Sequence, residues 1–130
     1  MNKFPFIGPG RANDLFRIAV SLFLIAHGVA RIYLGTVDGF GEFLNASGFV
    51  IGRPLAWGIT IFEIAGGTAM IFRYFVRWIA SIFILELFVG IILVHAKNGW
   101  FVVGATLGGM EYSVLLIVSL IVIAAQENHR

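Results

Sequence analysis

Four apolar runs, residues 14–35, 54–72, 75–96 and 106–126, set the limits on this fold. A helix needs about 20 apolar residues to cross a bilayer, because the hydrocarbon core is about 30 Å thick and each residue rises about 1.5 Å. Inside hydrocarbon every backbone N–H and C=O must be bonded within the protein, and α-helices do this segment by segment. Composition agrees: 59% of the 130 residues are hydrophobic and 12% are charged, against about 45–50% and about 25% in ordinary soluble domains. The sequence therefore predicts an all-α integral membrane four-helix bundle, a single domain over residues 1–130. The first run is too long for a signal peptide and lacks a clear A-x-A cleavage site, so it is read as a retained span.

The connections carry their own signals. Asn13 or Asp14 is suited to cap the first span. Residues 39–44 alternate apolar and polar residues, which predicts a short interfacial helix between spans 1 and 2. Pro54 is expected at the first position of the second span, where its missing N–H does no harm. Arg73–Trp78 reads as a basic, aromatic turn at a membrane boundary. Lys97-Asn98-Gly99 is expected to stop the third span, with Trp100 and Phe101 as interfacial anchors. An even number of spans puts both termini on one side. That side holds Lys3, Arg11, Arg17, Arg73, Arg77 and Arg130; the other holds Arg31, Arg53 and Lys97. The positive-inside rule then predicts that both termini are cytoplasmic. A net charge of +2 without a basic stripe excludes nucleic acid as a partner. The lack of cysteine excludes disulfides, thiolate metal sites and CxxC redox chemistry.

Ionisable residues inside apolar runs are the candidate functional groups, because a charge at membrane depth is costly without a partner. Glu63 lies within Ile61–Gly67, and Glu111 follows Gly108-Gly109-Met110. Counting helical rise puts Glu63 and Glu86 near the midplane, His27, Arg31 and Glu111 in the outer half, and His95 at the outer rim. The inner half is nearly free of such groups, which points to one polar pocket open to the outside. His27 and Arg31 are four apart and share a helix face. Ala56, Thr60, Glu63, Gly67 and Met70 line one face of the second span. Glu86 and His95 are nine apart, half a turn out of phase on a continuous helix. Glu86 is therefore expected to meet another membrane subunit or a second copy. Glu63, Glu111 and His27 are the candidate proton-handling groups. Arg31, His95, Tyr112, Gly66, Gly67, Gly108 and Gly109 are the candidates around a bound group. Each also has a structural reading. The two glutamates suit helix joining through Arg31 and His27, Arg31 suits snorkelling, and His95 suits a helix end. The glycine pairs suit close packing, and Tyr112 suits an ordinary interfacial aromatic.

Together these pieces resemble the DoxX family of small four-span membrane proteins. The matching residues are Gly28 with Arg31, Glu63-Ile64-Ala65-Gly66-Gly67, His95 with Gly99-Trp100-Phe101, and Gly108-Gly109-Met110-Glu111-Tyr112. The family usually carries Lys where Arg31 stands and often ends in an acidic segment that this sequence does not show. Arg does not deprotonate, so a proton relay through position 31 is not expected. The resemblance implies a subunit of a membrane oxidoreductase complex, of the quinol oxidase or thiosulfate:quinone oxidoreductase kind. Quinone is then the expected cofactor, and the chain is not expected to turn over alone. Two other readings stay open: a non-catalytic assembly subunit of a larger membrane complex, or a haem- or metal-binding membrane protein using His27, His95, Glu63 or Glu111.

Overall fold

The computed structural model describes residues 3–127. Among them lie five α-helices, one 3-10 turn and no strand. The helices are α1 (Pro9–Tyr33), α2 (Val37–Ala46), α3 (Gly52–Ile71), α4 (Val76–Leu93) and α5 (Glu111–Gln126), with the 3-10 turn His95–Asn98 after α4. Helices α1, α3 and α4 are each long and apolar enough to cross a membrane; α5 is apolar but shorter. The protein is thus a helical membrane protein whose spans meet lipid. The chain divides into two compact units, residues 21–74 and residues 1–20 with 75–130.

Unit 21–74 holds the second half of α1, with α2 and α3. Its helices are drawn close by small residues. A Cβ on Gly28 would lie 2.8 Å from Ile64 Cγ1 and 2.9 Å from the Thr60 carbonyl oxygen. One on Gly67 would lie 3.1 Å from the Ser21 carbonyl oxygen. Gly28 thus faces Thr60–Ile64 while Gly67 faces Ser21–Ile25, so α1 and α3 run antiparallel. The buried residues of α3 are Gly52, Ala56, Thr60, Glu63, Gly66, Gly67 and Met70, and they include every residue of the face expected from periodicity. The stripe Val37, Gly41 and Leu44 buries one side of α2. Gly41 lets α2 reach the backbone of Arg53, and Asn45 Oδ1 accepts the Gly52 N–H at 2.9 Å. That bond satisfies one of the donors that the start of α3 leaves open.

In the other unit, α4 and α5 pack together through helical stripes. Val76, Ile79, Ala80 and Phe83 are buried on α4; Ser113, Leu116, Ser119, Leu120 and Ile123 are buried on α5.

Several boundaries differ from the sequence reading. Helix α1 opens at Pro9, a turn before Asp14, because Pro is well suited to a first helical position. Asp14 instead bonds Arg17 at 2.9 Å. Helix α3 starts at Gly52, so Pro54 stands third, still among the four N–H groups without an intrahelical partner. Helix α4 stops at Leu93, short of Ala96. Helix α5 starts at Glu111 rather than near Thr106. Gly104 and Gly108, at φ +96° and +71°, hold the preceding segment in conformations no α-helix allows.

Candidate functional site

The main polar site lies in unit 21–74 and is built from three helices. Arg31 stands in the last turn of α1. Its Nη1 donates to Glu63 Oε1 at 2.6 Å and to Thr60 Oγ1 at 2.9 Å. The Thr60 hydroxyl donates in turn to the Ala56 carbonyl at 2.8 Å, so its lone pairs stay open to Arg31. Thr60 and Glu63 are three apart and therefore share a face of α3. Gly28 lets α1 settle against that face. Phe40 of α2 covers the guanidinium, with Arg31 Cζ 4.7 Å from the ring centroid.

Burial gives this arrangement its character. Glu63 is 4% exposed and Thr60 is fully buried, while the Arg31 side chain is 19% exposed. The carboxylate is thus largely buried, with only a little of it open, and the cation reaches toward the surface. A buried ion pair adds little net stability, because desolvation offsets the attraction, but removing one partner strands the other charge. Both Arg31 bonds use Nη1. Among the described residues, Nη2 and Nε of Arg31 and Oε2 of Glu63 make no hydrogen bond. The site therefore presents two donors and one acceptor beside an aromatic face. Such a set suits a planar group carrying an oxygen acceptor and a hydroxyl.

A second cluster lies in the other unit, around the start of α5. Glu111 Oε1 accepts the Val102 N–H at 2.9 Å, and the Glu111 N–H donates to the Trp100 carbonyl at 2.9 Å. His95 Nδ1–H donates to the Gly108 carbonyl at 2.9 Å. Gly109 is buried, and a Cβ there would run into the Trp100 backbone. Tyr112 is half-buried next to Glu111. These residues close the loop between α4 and α5.

The expected site residues thus fall into two groups. Arg31, Glu63, Gly66 and Gly67 belong to one unit, and His95, Gly108, Gly109, Glu111 and Tyr112 to the other. His27 is exposed on α1, one turn before Arg31. Glu86 is half-buried on α4. The half-turn offset between Glu86 and His95 does not apply, because Val94 (φ −126°, ψ −62°) breaks the helix before His95. Among the described residues no three His, Asp or Glu side chains come together as a metal site. Phe40 escaped the sequence reading: its place over Arg31 depends on how α2 folds back, which no local spacing encodes.

Comparison with known proteins gives one family. The family model described as DoxX matches residues 12–96, well over half of the chain, from α1 to the 3-10 turn. No curated protein and no solved structure matches.

Proposed function

The chain belongs to the DoxX family of membrane proteins, and from that premise we propose that it is a membrane subunit of a respiratory-type oxidoreductase complex, holding a quinone headgroup at Arg31 and Glu63. The observation that carries this reading is the half-satisfied ion pair under Phe40. Arg31 donates from Nη2 or Nε to a ring oxygen, and Phe40 stacks along the apolar ring. Glu63 Oε2 takes the hydroxyl proton of a reduced headgroup. His27, exposed four residues from Arg31, is the group through which that proton leaves. Arg31 keeps its charge throughout and orients rather than relays. Oxidising a quinol releases two protons and two electrons. Glu63 takes the two protons one at a time, each leaving through His27 before the next is taken, and a redox centre in a partner subunit takes the two electrons, so the isolated chain has no turnover. Glu111 acts structurally in this scheme.

The same reading treats the chain as one four-span domain of a prokaryotic inner membrane, with both termini cytoplasmic. The site, near the end of α1 away from its N-terminus, then faces the outer half of the bilayer. The test uses the purified protein in mild detergent with a short-chain ubiquinone analogue. The analogue should raise Tm saturably in the wild type and not in Glu63→Gln, with gel filtration confirming that the variant is folded. No shift, or equal shifts in both, overturns the quinone assignment. Partner chains that still copurify would then favour the assembly-subunit reading.

A further inference from the structure

We propose that the loop 99–110, beyond the part of the chain matched by the family, is itself a membrane-contacting element. It lies in the interfacial zone of the bilayer with Val103 and Leu107 among the upper acyl chains. Three independent observations lead there. The first is length. Helix α5 has 16 residues, which span about 24 Å against a hydrocarbon core of about 30 Å. Starting at Glu111, it leaves several ångströms of apolar thickness to be filled by what precedes it.

The second is chemistry. Residues 99–110 contain no charged side chain, whereas loops in water are normally rich in polar groups. Val103 and Leu107 are 70% and 73% exposed, and Trp100 and Phe101 are also on the surface. The outward residues of the flanking helices are apolar as well, Phe88 and Ile92 on α4 and Leu115 and Val118 on α5, and these helices meet lipid. Lipid is therefore the occupant that needs no change of chemistry along the surface.

The third is the backbone. A segment below the headgroups must satisfy its own polar groups, and the base of this loop does. Gly108 N–H donates to the Val102 carbonyl, Gly109 N–H to Phe101, Met110 N–H to Gly99 and Glu111 N–H to Trp100, all between 2.9 and 3.0 Å. Glu111 takes the Val102 N–H, and the Thr106 hydroxyl donates to the Phe101 carbonyl at 2.7 Å. The backbone of the tip, residues 103–107, stays at headgroup level, where water is still available, while the Val103 and Leu107 side chains dip below it. Trp100 at its foot suits that depth.

The absence of cysteine from the chain makes the test clean. Leu107→Cys and Val103→Cys are labelled with an environment-sensitive fluorophore in phosphatidylcholine vesicles, with Lys97→Cys as the water-side reference. At 107 and 103, emission should shift to the blue. Quenching by a lipid-borne spin label just below the headgroup should exceed that by aqueous iodide several-fold; at 97 the order should reverse. If Leu107→Cys fails to fold, Val103→Cys decides. Iodide quenching at 103 and 107 equal to that at 97 overturns the proposal. So does shielding from both quenchers, which would put protein rather than lipid against the loop.

Discussion

Glu63 and Glu111 look like mirror images in the sequence, each beside a pair of glycines, yet they have opposite structural roles. Glu63 reaches across to Arg31 on another helix. Glu111 bonds the N–H of Val102 in the loop that leads into its own helix. The difference comes from where each helix begins. Glu63 stands deep inside α3, whose backbone is already bonded, so its carboxylate is left to find a partner on another element. Glu111 is the first residue of α5, where loop N–H groups lack partners and a carboxylate is the natural acceptor. A carboxylate in an apolar run is therefore a candidate for chemistry only once the start of its helix is known.

The contrast is tested most sharply by removing each carboxylate. Glu63→Leu leaves the Arg31 cation half-buried and should cost about 3–5 kcal/mol, the range for breaking a buried pair. Combining it with Arg31→Met should restore most of that loss, since two apolar groups replace two charges. Unfolding in mixed detergent micelles measures all three variants. A Glu63→Leu loss below about 1 kcal/mol would mean that the pair is solvated, unlike a broken buried pair.

Glu111→Ala should cost less, about 1.5–3 kcal/mol, the range for one charge-assisted hydrogen bond. Its signature is local: amide exchange should accelerate at Val102 and its neighbours and stay unchanged along α3. Glu111→Gln keeps an acceptor oxygen and should recover most of the effect. Acceleration spreading into α3 would erase the distinction between the two glutamates.

Glycines give a third test. Gly28→Ala brings a methyl against the Thr60 carbonyl and Ile64 and should cost about 1–3 kcal/mol, as overpacking does. Gly90→Ala meets nothing within 4 Å and should stabilise α4 by up to about 1 kcal/mol, through helix propensity alone. Equal effects would mean that α1 and α3 are not held at the close approach Gly28 permits.

Much of this is legible in the chain itself. The packing face of α3 follows from three- and four-residue spacing, and it came through whole from Ala56 to Met70. Arg31 as a partner for Glu63 also follows from the sequence, because a charge at depth requires a partner. What the sequence hid were helix ends. A run of apolar residues fixes how much chain prefers hydrocarbon, not which residues take helical dihedrals. Val94 therefore ended α4 early and the positive-φ Gly108 delayed α5, each inside its own apolar run. That moved His95 off the helix and turned Glu111 from a group just over a turn inside its span into a helix start. Phe40 was hidden for another reason: its contact is tertiary, set by Gly41 and Asn45 docking α2 on α3.

The smallest expected effect falls on that last contact. Phe40→Leu keeps an apolar side chain on α2 but removes the ring face over Arg31. A partly exposed cation–π contact is worth about 0.5–2 kcal/mol, so stability should fall by no more than that. Binding should suffer more than folding if the ring fixes the plane of the guanidinium. With the ring gone, Nη1 can still hold Glu63, but Nη2 and Nε are free to swing away from the ring oxygen they would meet. Arg53→Gln is the matching control. It breaks the Asp38 pair at 3.0 Å between two largely exposed side chains, a contact of little energetic weight, without touching Phe40. The ubiquinone-induced rise in Tm should shrink in Phe40→Leu and persist in Arg53→Gln. Equal retention in both would reduce α2 to a structural brace and leave Arg31 oriented by Thr60 and Glu63 alone.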